Sequence, residues 1–367
     1  MLVVLGACEA HGLVGSNVSA AADDEVGEGT SMPVGEDGPG SGPGSSGGTT
    51  GSGTTSTTGI DPVDETTSGV LFDVLFDDVP LVCQAPHSTS CDHLSDDPWH
   101  AMGINCPGSV AFETASSGDP SAMAVHEGPL GTHSTFTPRE GARMVILSTG
   151  RASDVPRTPA ELGCTAMCPS TAFDPWSGMH SLPPPIDPRR VSDEVTCAED
   201  PGLVGTGDCS NTIEDQWNQG SGSHDYAEMR FTVQVPGGTS GFTYDFAMFS
   251  TEYPVYYQSS FNDMYIAWLE SEQWTGNISF DQNGHPISIN GVFLDYLDDA
   301  PELDGFAMDG HAGTRWLQTV APVHEGEDIE VIFAIFDQTD ASVDTVVLLD
   351  NVHWTCTDLP PITQPEG

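Results

Sequence analysis

Frequent glycine and proline residues limit this chain to short structural elements. The 367 residues include 41 glycines and 28 prolines, and beyond residue 68 no long stretch keeps a helical period. Short apolar runs bounded by turn residues recur there instead. Such runs are typical of β-strands, so the sequence predicts an all-β fold, and more specifically a jelly-roll-like β-sandwich.

The clearest strand is predicted over residues 227–235, where apolar and polar side chains alternate. Gln282-Asn283-Gly284 is a strong turn signal and predicts a hairpin between residues 277–280 and 287–289. Further strands are predicted over residues 70–76, 121–126, 143–148, 242–248, 263–269, 329–336 and 343–349.

A proline-rich segment, residues 182–188, cannot be a helix or a central strand. We interpret it as the boundary between an N-terminal β-rich, disulfide-bearing module at residues 69–190 and a β-sandwich at residues 191–357. Residues 358–367 are expected to form a disordered tail.

Residues 9–68 are dominated by Gly, Ser, Thr, Asp and Glu and predict a long disordered tether. This stretch carries ten acidic residues and no lysine or arginine. A flexible chain of this length spans roughly 45 Å, enough to separate a folded domain from a surface.

The chain is strongly acidic. It has 55 Asp and Glu residues against eight Lys and Arg, which gives a formal net charge of −47. Such a surface repels nucleic acid, so we expect no nucleic-acid partner.

Nine cysteines divide into Cys8 and a later set of eight. An even set in an exported chain indicates up to four disulfides. The local pairs Cys164–Cys168 and Cys197–Cys209 are the pairings we predict. A zinc site formed by Cys83, His87, Cys91 and His93 is the alternative. The eight cysteines are Cys83, Cys91, Cys106, Cys164, Cys168, Cys197, Cys209 and Cys356.

The first eight residues end in Leu5-Gly6-Ala7-Cys8. This motif resembles the cleavage site of bacterial lipoproteins. Residues 1–8 would then be a truncated signal peptide that ends in this site. The resemblance implies that Cys8 becomes the lipidated first residue and anchors the protein to a membrane. We therefore expect an exported protein at the outer membrane or cell surface. The alternative is a cytoplasmic chain with a free cysteine.

Residues 242–270 read FTYDFAMFSTEYPVYYQSSFNDMYIAWLE. They resemble the signature of the choice-of-anchor L family of bacterial surface and secreted proteins. The matching positions are Phe249, Ser250, Glu252, Tyr253, Pro254, Phe261, Asn262 and Asp263. Thr251 stands where the family often has an acidic residue. The resemblance covers roughly residues 195–357, and the family carries no established chemistry.

Several oxygen-bearing side chains lie in predicted loops around this signature. Calcium takes oxygen ligands from loops, and these residues are therefore a candidate calcium site. The alternative is that Glu252 and Asp263 cap turns or pair with arginines. The candidate ligands are Glu252, Asn262, Asp263, Asp350 and Asn351.

Aromatic residues also cluster near the signature. Tyr256, Tyr257 and Trp274 fall in polar loops and are candidates for binding a glycan or protein, since rings with polar groups suit such contacts. Trp268 lies in a strand that is apolar on both faces and is expected in the core.

No nucleophile triad, phosphate loop or zinc-protease motif occurs in a suitable context. We therefore predict a non-catalytic, lipid-anchored surface protein whose β-sandwich serves adhesion or the binding of a glycan or protein. The alternatives are a secreted hydrolase acting on polysaccharide or peptide, and a purely structural envelope component.

Overall fold

The computed structural model describes residues 84–87, 89–164, 169–173, 180–291 and 293–366. The strands are β1 (Glu113–Ser117), β2 (Met123–Glu127), β3 (Arg143–Ser148), β4 (Ser223–Gln234), β5 (Gly241–Ser250), β6 (Met264–Glu270), β7 (Thr275–Asn277), β8 (Ile287–Ser288), β9 (Tyr296–Leu297), β10 (Ala312–Gly313), β11 (Leu317–Pro322), β12 (Asp328–Gln338), β13 (Thr345–Thr355) and β14 (Ile362–Pro365). The α-helices are single turns: α1 (Pro98–Ala101), α2 (Pro159–Leu162) and α3 (Glu214–Trp217). Short 3₁₀ turns cover Asp92–Leu94, Pro120–Ala122, Ala152–Asp154, Pro201–Leu203 and Pro301–Leu303. None of the helices in these ranges is long and apolar enough to cross a membrane.

The strands form two antiparallel sheets packed as a sandwich, which confirms the predicted fold class. Sheet A has the order β1-β4-β12-β6-β7, with β8 also paired to β6. Sheet B has the order β14-β11-β5-β13-β3-β2, and β10 joins β5 to β9. The long central strands β4, β5, β6, β12 and β13 are those whose apolar runs were visible in the sequence.

Side chains from both sheets fill the space between them. Phe333 of sheet A packs against Tyr244 of sheet B, with ring centroids 4.8 Å apart. Tyr265 of sheet A packs against Phe246 of sheet B at 4.9 Å. All four side chains are fully buried, and aromatic burial of this kind contributes strongly to core stability.

The outer face of sheet B is also covered. Phe249 of β5 points away from the central core and packs against Phe136 and Phe306, with centroids 4.7 and 5.6 Å apart. These partners come from the loops that precede β3 and β10. This second layer explains why every residue of β5 is buried.

The predicted boundary near residue 190 does not divide the strands. β1 pairs with β4, and β3 pairs with β13, so strands from residues 69–190 complete both sheets. All of the described residues, which begin at residue 84, also belong to one compact unit. The division into two modules is therefore wrong for these strands, because β1 and β3 each form backbone hydrogen bonds with a strand from the later part of the chain and cover its free edge. The proposed strand at residues 70–76 lies outside the described residues.

Two other expectations are corrected by strand pairing. β7 and β8 flank the predicted Asn-Gly turn, but each pairs with β6, and a single bridge joins Phe280 to Pro286. The predicted disordered tail contains β14, which pairs with the edge strand β11. The Thr363 hydroxyl there lies 2.8 Å from that of Thr319. The edge of β11 would otherwise have unpaired backbone N–H and C=O groups, and even a short polar segment such as β14 can pair with them.

The predicted Cys197–Cys209 disulfide is confirmed. Cys91 forms a second disulfide with Cys106, which excludes it from the alternative zinc site. Cys164 and Cys356 are also disulfide-bonded. Cys8, Cys83 and Cys168 lie outside the described residues, as do the predicted signal segment at residues 1–8 and the tether at residues 9–68.

The pairing of β3 with β13 makes a testable prediction. Leu147 of β3 is fully buried in the central core. Leu147→Ala should lower the free energy of unfolding by about 2–5 kcal/mol through the cavity it leaves. Urea denaturation should show one transition for the whole sandwich, shifted to lower urea.

Thr114→Ala, at an exposed position of β1, is the control and should change stability by less than about 0.5 kcal/mol. Two transitions, with only the smaller one shifted by Leu147→Ala, would support two separate modules instead.

Candidate functional site

Five acidic residues meet at one end of the sandwich, where five strands begin or end. Asp225 lies near the start of β4, Asp263 precedes β6, and Asp337 lies near the end of β12, all in sheet A. Glu252 follows β5 and Asp344 precedes β13 in sheet B. Each residue is 1% exposed. We call these five residues the acidic cluster.

The Asp263 carboxyl links the two sheets within this cluster. Its Oδ2 accepts a 2.6 Å hydrogen bond from the Thr345 hydroxyl of sheet B. Its Oδ1 accepts a 3.0 Å bond from the Gln338 backbone N–H of sheet A. The Thr345 hydroxyl also lies 2.9 Å from that of Ser250, at the end of β5. Hydrogen bonding thus positions Asp263 between the layers.

Other carboxyl oxygens in the cluster are buried without hydrogen bonds. They are Oε2 of Glu252, Oδ2 of Asp344 and both carboxyl oxygens of Asp337. The Thr149 hydroxyl and the Asp263 carboxyl lie beside Asp337, yet neither contact reaches hydrogen-bond geometry. Buried polar atoms are nearly always hydrogen-bonded, so this group of exceptions needs a physical explanation.

Burial and mutual repulsion both oppose ionisation of these carboxyls. Burial, and then the neighbouring Asp263, raise the pKa of Glu252 to about 11. Burial raises the pKa of Asp263 and of Asp344 to about 7. Burial and the carboxyls of Asp263, Asp344 and Asp225 raise the pKa of Asp337 well above its usual value. The cluster therefore favours protons or a cation over free negative charge.

No ion pair in the described ranges includes Glu252, Asp263, Asp337 or Asp344. The nearest basic side chain in strand register is His224, which lies opposite Asp337 in the β4–β12 pair. Asp340, in the loop after β12, adds further negative charge near Glu252 and Asp263.

Three of the five predicted ligands lie at this end of the sandwich. Glu252 and Asp263 belong to the acidic cluster. The Asn262 side chain is already engaged: its Nδ2 donates to Oε1 of Gln216 at 2.6 Å, and its Oδ1 accepts from the Asn290 N–H at 3.0 Å. Asn262 therefore orders the surrounding loops, which is a structural role.

The other two predicted ligands lie elsewhere, which corrects the predicted set. Asp350 is paired with Asp245, five residues along β13 from Thr345, so it lies about 16 Å away along the strand. Its Oδ2 accepts from the Arg139 N–H at 2.6 Å, and the Asn351 side chain donates to Asp245 at 2.8 Å. The sequence placed these residues near the end of a strand, but it did not show at which end of the sandwich they lie.

An aromatic and apolar surface lies directly after Glu252. Tyr253 and Tyr257 pack edge to face with ring centroids 5.6 Å apart, and the Tyr253 hydroxyl donates to Asp298 at 3.1 Å. Val255 is 59% exposed, Tyr257 is 38% exposed and Leu297, next to Asp298, is 37% exposed. We call Tyr253, Val255, Tyr257 and Leu297 the aromatic patch.

The remaining predicted ligand-binding aromatics differ in position. Tyr256 is half-buried and packs against Phe261 at 5.1 Å, so it supports the loop from beneath. Trp274 is 3% exposed, and its indole N–H donates to the Asn277 carbonyl at 3.1 Å. The prediction that Trp274 contacts ligand is wrong, because the ring fills the central core. Trp268 is buried as expected.

Burial limits the chemistry that the acidic cluster can perform. A substrate-sized molecule cannot contact carboxyls that are 1% exposed, whereas a proton or a bare ion can occupy such a space. Among the described residues, no three or more His, Cys, Asp or Glu side chains are already arranged to hold a metal ion.

Sequence reasoning missed Asp225, Asp337 and Asp344. Asp337 directly follows the apolar run 329–336, and Asp344 directly precedes the apolar run 345–349. The signal in the sequence that could have identified these two residues was an aspartate directly next to a predicted interior strand. Its significance depends on strand pairing, which a single sequence does not contain.

Comparison with known proteins found no matching family model, curated protein or solved structure. The resemblance to the choice-of-anchor L family therefore stays a prediction.

The raised pKa values predict how stability changes with pH in EDTA. Folded Asp263 and Asp344 hold protons up to about pH 7, whereas their unfolded pKa is about 4. The folded state binds more protons between these values, so stability is full below about pH 4 and falls as pH rises through 7. Urea unfolding should give a free energy at pH 8 that is lower than at pH 5 by on the order of 5 kcal/mol, since each of the two groups contributes about 1.4 kcal/mol per pH unit up to about pH 7.

Asp344→Asn should reduce this pH dependence, because it removes one of the titrating groups. Asp328→Asn, at an exposed position of β12, is the control and should leave the dependence unchanged. Equal slopes for the wild-type protein and Asp344→Asn would contradict the assignment.

Proposed function

We propose that this protein is an exported, lipid-anchored, non-catalytic binding protein whose aromatic patch contacts the ligand. The observation that carries the proposal is the exposure of Val255 and Tyr257 on a loop whose base is buried. Most apolar surface of this kind is removed from water in a folded protein. Exposed rings and aliphatic groups gathered in one place favour a binding role.

A fixed loop geometry supports this role. The Tyr256 N–H donates to the Glu252 carbonyl at 2.8 Å, and the Gln258 N–H donates to Asn290 Oδ1 at 2.6 Å. His311 Nδ1 lies 2.9 Å from the Tyr253 carbonyl. These contacts fix the loop before binding, which reduces the entropy lost when a ligand is engaged.

The chemistry of the aromatic patch fits a glycan first. Tyrosine rings offer flat apolar faces on which the C–H groups of a sugar can pack, and their hydroxyls remain available for hydrogen bonds. Asp298, bonded to the Tyr253 hydroxyl, adds an acceptor for sugar hydroxyls at the rim. A protein ligand would use the same rings and is the alternative that the binding experiment distinguishes.

Export is supported by the disulfides in the described ranges. Cys91–Cys106 and Cys197–Cys209 are typical of an oxidising compartment. The Leu5-Gly6-Ala7-Cys8 motif and the acidic tether supply an anchor and a spacer consistent with display at a cell surface.

Binding can be tested with a glycan array probed by the full protein. Tyr257→Ala should weaken binding to the recognised glycan by at least about tenfold, because a central aromatic contact of this kind typically contributes more than 1 kcal/mol. Affinity should be measured by calorimetry on the glycan that gives the strongest array signal.

Leu359→Ala is the matched control, since Leu359 is also 59% exposed but lies outside the aromatic patch. It should bind like the wild-type protein. Glycan binding that survives Tyr257→Ala unchanged would contradict the assignment of the surface. Turnover of the bound glycan would instead favour the hydrolase alternative.

Anchoring can be tested separately in a bacterium that exports the protein. Cys8→Ser removes the thiol that would carry the lipid, so the protein should move from the membrane fraction to the soluble exported fraction. Immunoblots of the fractions would measure this change. A variant that stays in the membrane fraction would contradict lipid anchoring through Cys8.

A further inference from the structure

We propose that the acidic cluster binds one calcium ion, with Glu252, Asp337 and Asp344 as the principal protein ligands and Asp263 and Asp225 beside them. This set differs from the one expected from sequence, because it includes three residues from strand ends and excludes Asp350, Asn351 and Asn262. The inference does not depend on the proposed ligand-binding function.

Several carboxyl oxygens of the acidic cluster have no hydrogen-bond partner. Glu252, Asp337 and Asp344 together supply four carboxyl oxygens that are buried and have no hydrogen bond. They come from three strand ends in both sheets and lie around Asp263, since Asp337 interacts electrostatically with Asp263 and Asp344, and Glu252 interacts with Asp263. A cation toward which these side chains turn would give the unpartnered oxygens a partner.

The acidic cluster also concentrates carboxyl groups without basic partners. Five carboxyls lie within this buried region. Four of them, those of Glu252, Asp263, Asp337 and Asp344, form no ion pair with a basic side chain in the described ranges. Like charges this close disfavour one another, and burial removes the water that would screen them. A divalent cation neutralises two charges and allows the remaining carboxyls to share it as ligands.

The chemistry of the ligand atoms determines which cation fits the acidic cluster. The cluster offers carboxylate oxygens and no thiolate, so it suits a hard cation. Calcium accepts six to eight oxygen ligands in flexible geometry, whereas magnesium demands a near-ideal octahedron and retains several waters. A buried site with many carboxylates favours calcium. The carboxyls must turn toward the ion, since they are not already gathered around one point.

The Asp344 carboxyl is accommodated by a glycine in the neighbouring backbone. Gly150, which follows β3, lies against the Asp344 carboxyl, and a Cβ atom there would overlap it. The other Asp344 oxygen, Oδ1, accepts a 2.7 Å bond from the Thr171 N–H, so the side chain is held on one side while Oδ2, against Gly150, has no hydrogen bond.

The site would also connect to the aromatic patch. Glu252 directly precedes Tyr253, and its carboxyl lies beside the Asp263 backbone N–H. An ion bound to Glu252 would therefore fix the base of the loop that carries Val255 and Tyr257.

The proposal is tested by calorimetric titration of the full, EDTA-treated and dialysed protein with calcium chloride at pH 7. We expect one ion per chain with a dissociation constant on the order of 10⁻⁴ M or tighter. Saturating calcium should raise Tm by several degrees, because it binds only the folded state. Asp337→Asn should weaken calcium binding at least tenfold.

Asp350→Asn is the matched control: it alters another buried aspartate, on β13, about 16 Å from the site along the strand, and should bind calcium like the wild-type protein. In EDTA, Asp337→Asn should be at least as stable as the wild-type protein, since it keeps the shape of the side chain and replaces a carboxyl that stays buried there only in its protonated form. If Asp337→Asn does not fold, Glu252→Gln replaces it in the experiment, with the same expected loss of calcium binding.

Three results would overturn the proposal. The first is the absence of both heat and a Tm change in 10 mM calcium. The second is calcium binding that neither Asp337→Asn nor Glu252→Gln weakens. The third is binding lost in Asp350→Asn but kept in Asp337→Asn, which would favour the set expected from sequence.

Discussion

The burial of five carboxyl groups at one end of the sandwich is the constraint on which the rest of the structure depends. Strands from both sheets end there, and the Asp263 carboxyl joins the layers through Thr345 and Gln338. Such a group cannot be fully ionised and dry without a neutralising partner. The stability of this end of the sandwich therefore depends on protons or on a cation, whereas the opposite end uses backbone N–H groups and Arg139.

This constraint also explains how an exposed binding surface can be rigid. The loop that carries Val255 and Tyr257 begins at Glu252, one of the buried carboxyls. Its apolar groups face water, so they cannot fix the loop by packing into the core. Contacts beneath it, from Tyr256 onto Phe261 and from His311 to the Tyr253 carbonyl, supply the rigidity instead. A buried carboxyl group and exposed apolar side chains thus lie next to each other in one short segment of the chain.

Much of the fold was predictable from local patterns, whereas the site was predictable only in part. Apolar runs such as 329–336 identified β12, and Cys197–Cys209 followed from local spacing. The domain boundary and the tail were wrong, since β3 and β14 gain stability from pairing with distant strands, which a single sequence does not show. Glu252 and Asp263 were recognised near the signature. Asp337 and Asp344 were missed because their proximity follows from the strand register.

The most direct test of the central claim is the metal content of the protein purified without chelator from medium containing millimolar calcium. Elemental analysis by mass spectrometry should give about one calcium per chain, retained through gel filtration in calcium-containing buffer and removed by EDTA. A calcium content indistinguishable from the buffer blank would contradict the account. The carboxyls at the strand ends would then be neutralised by protons alone.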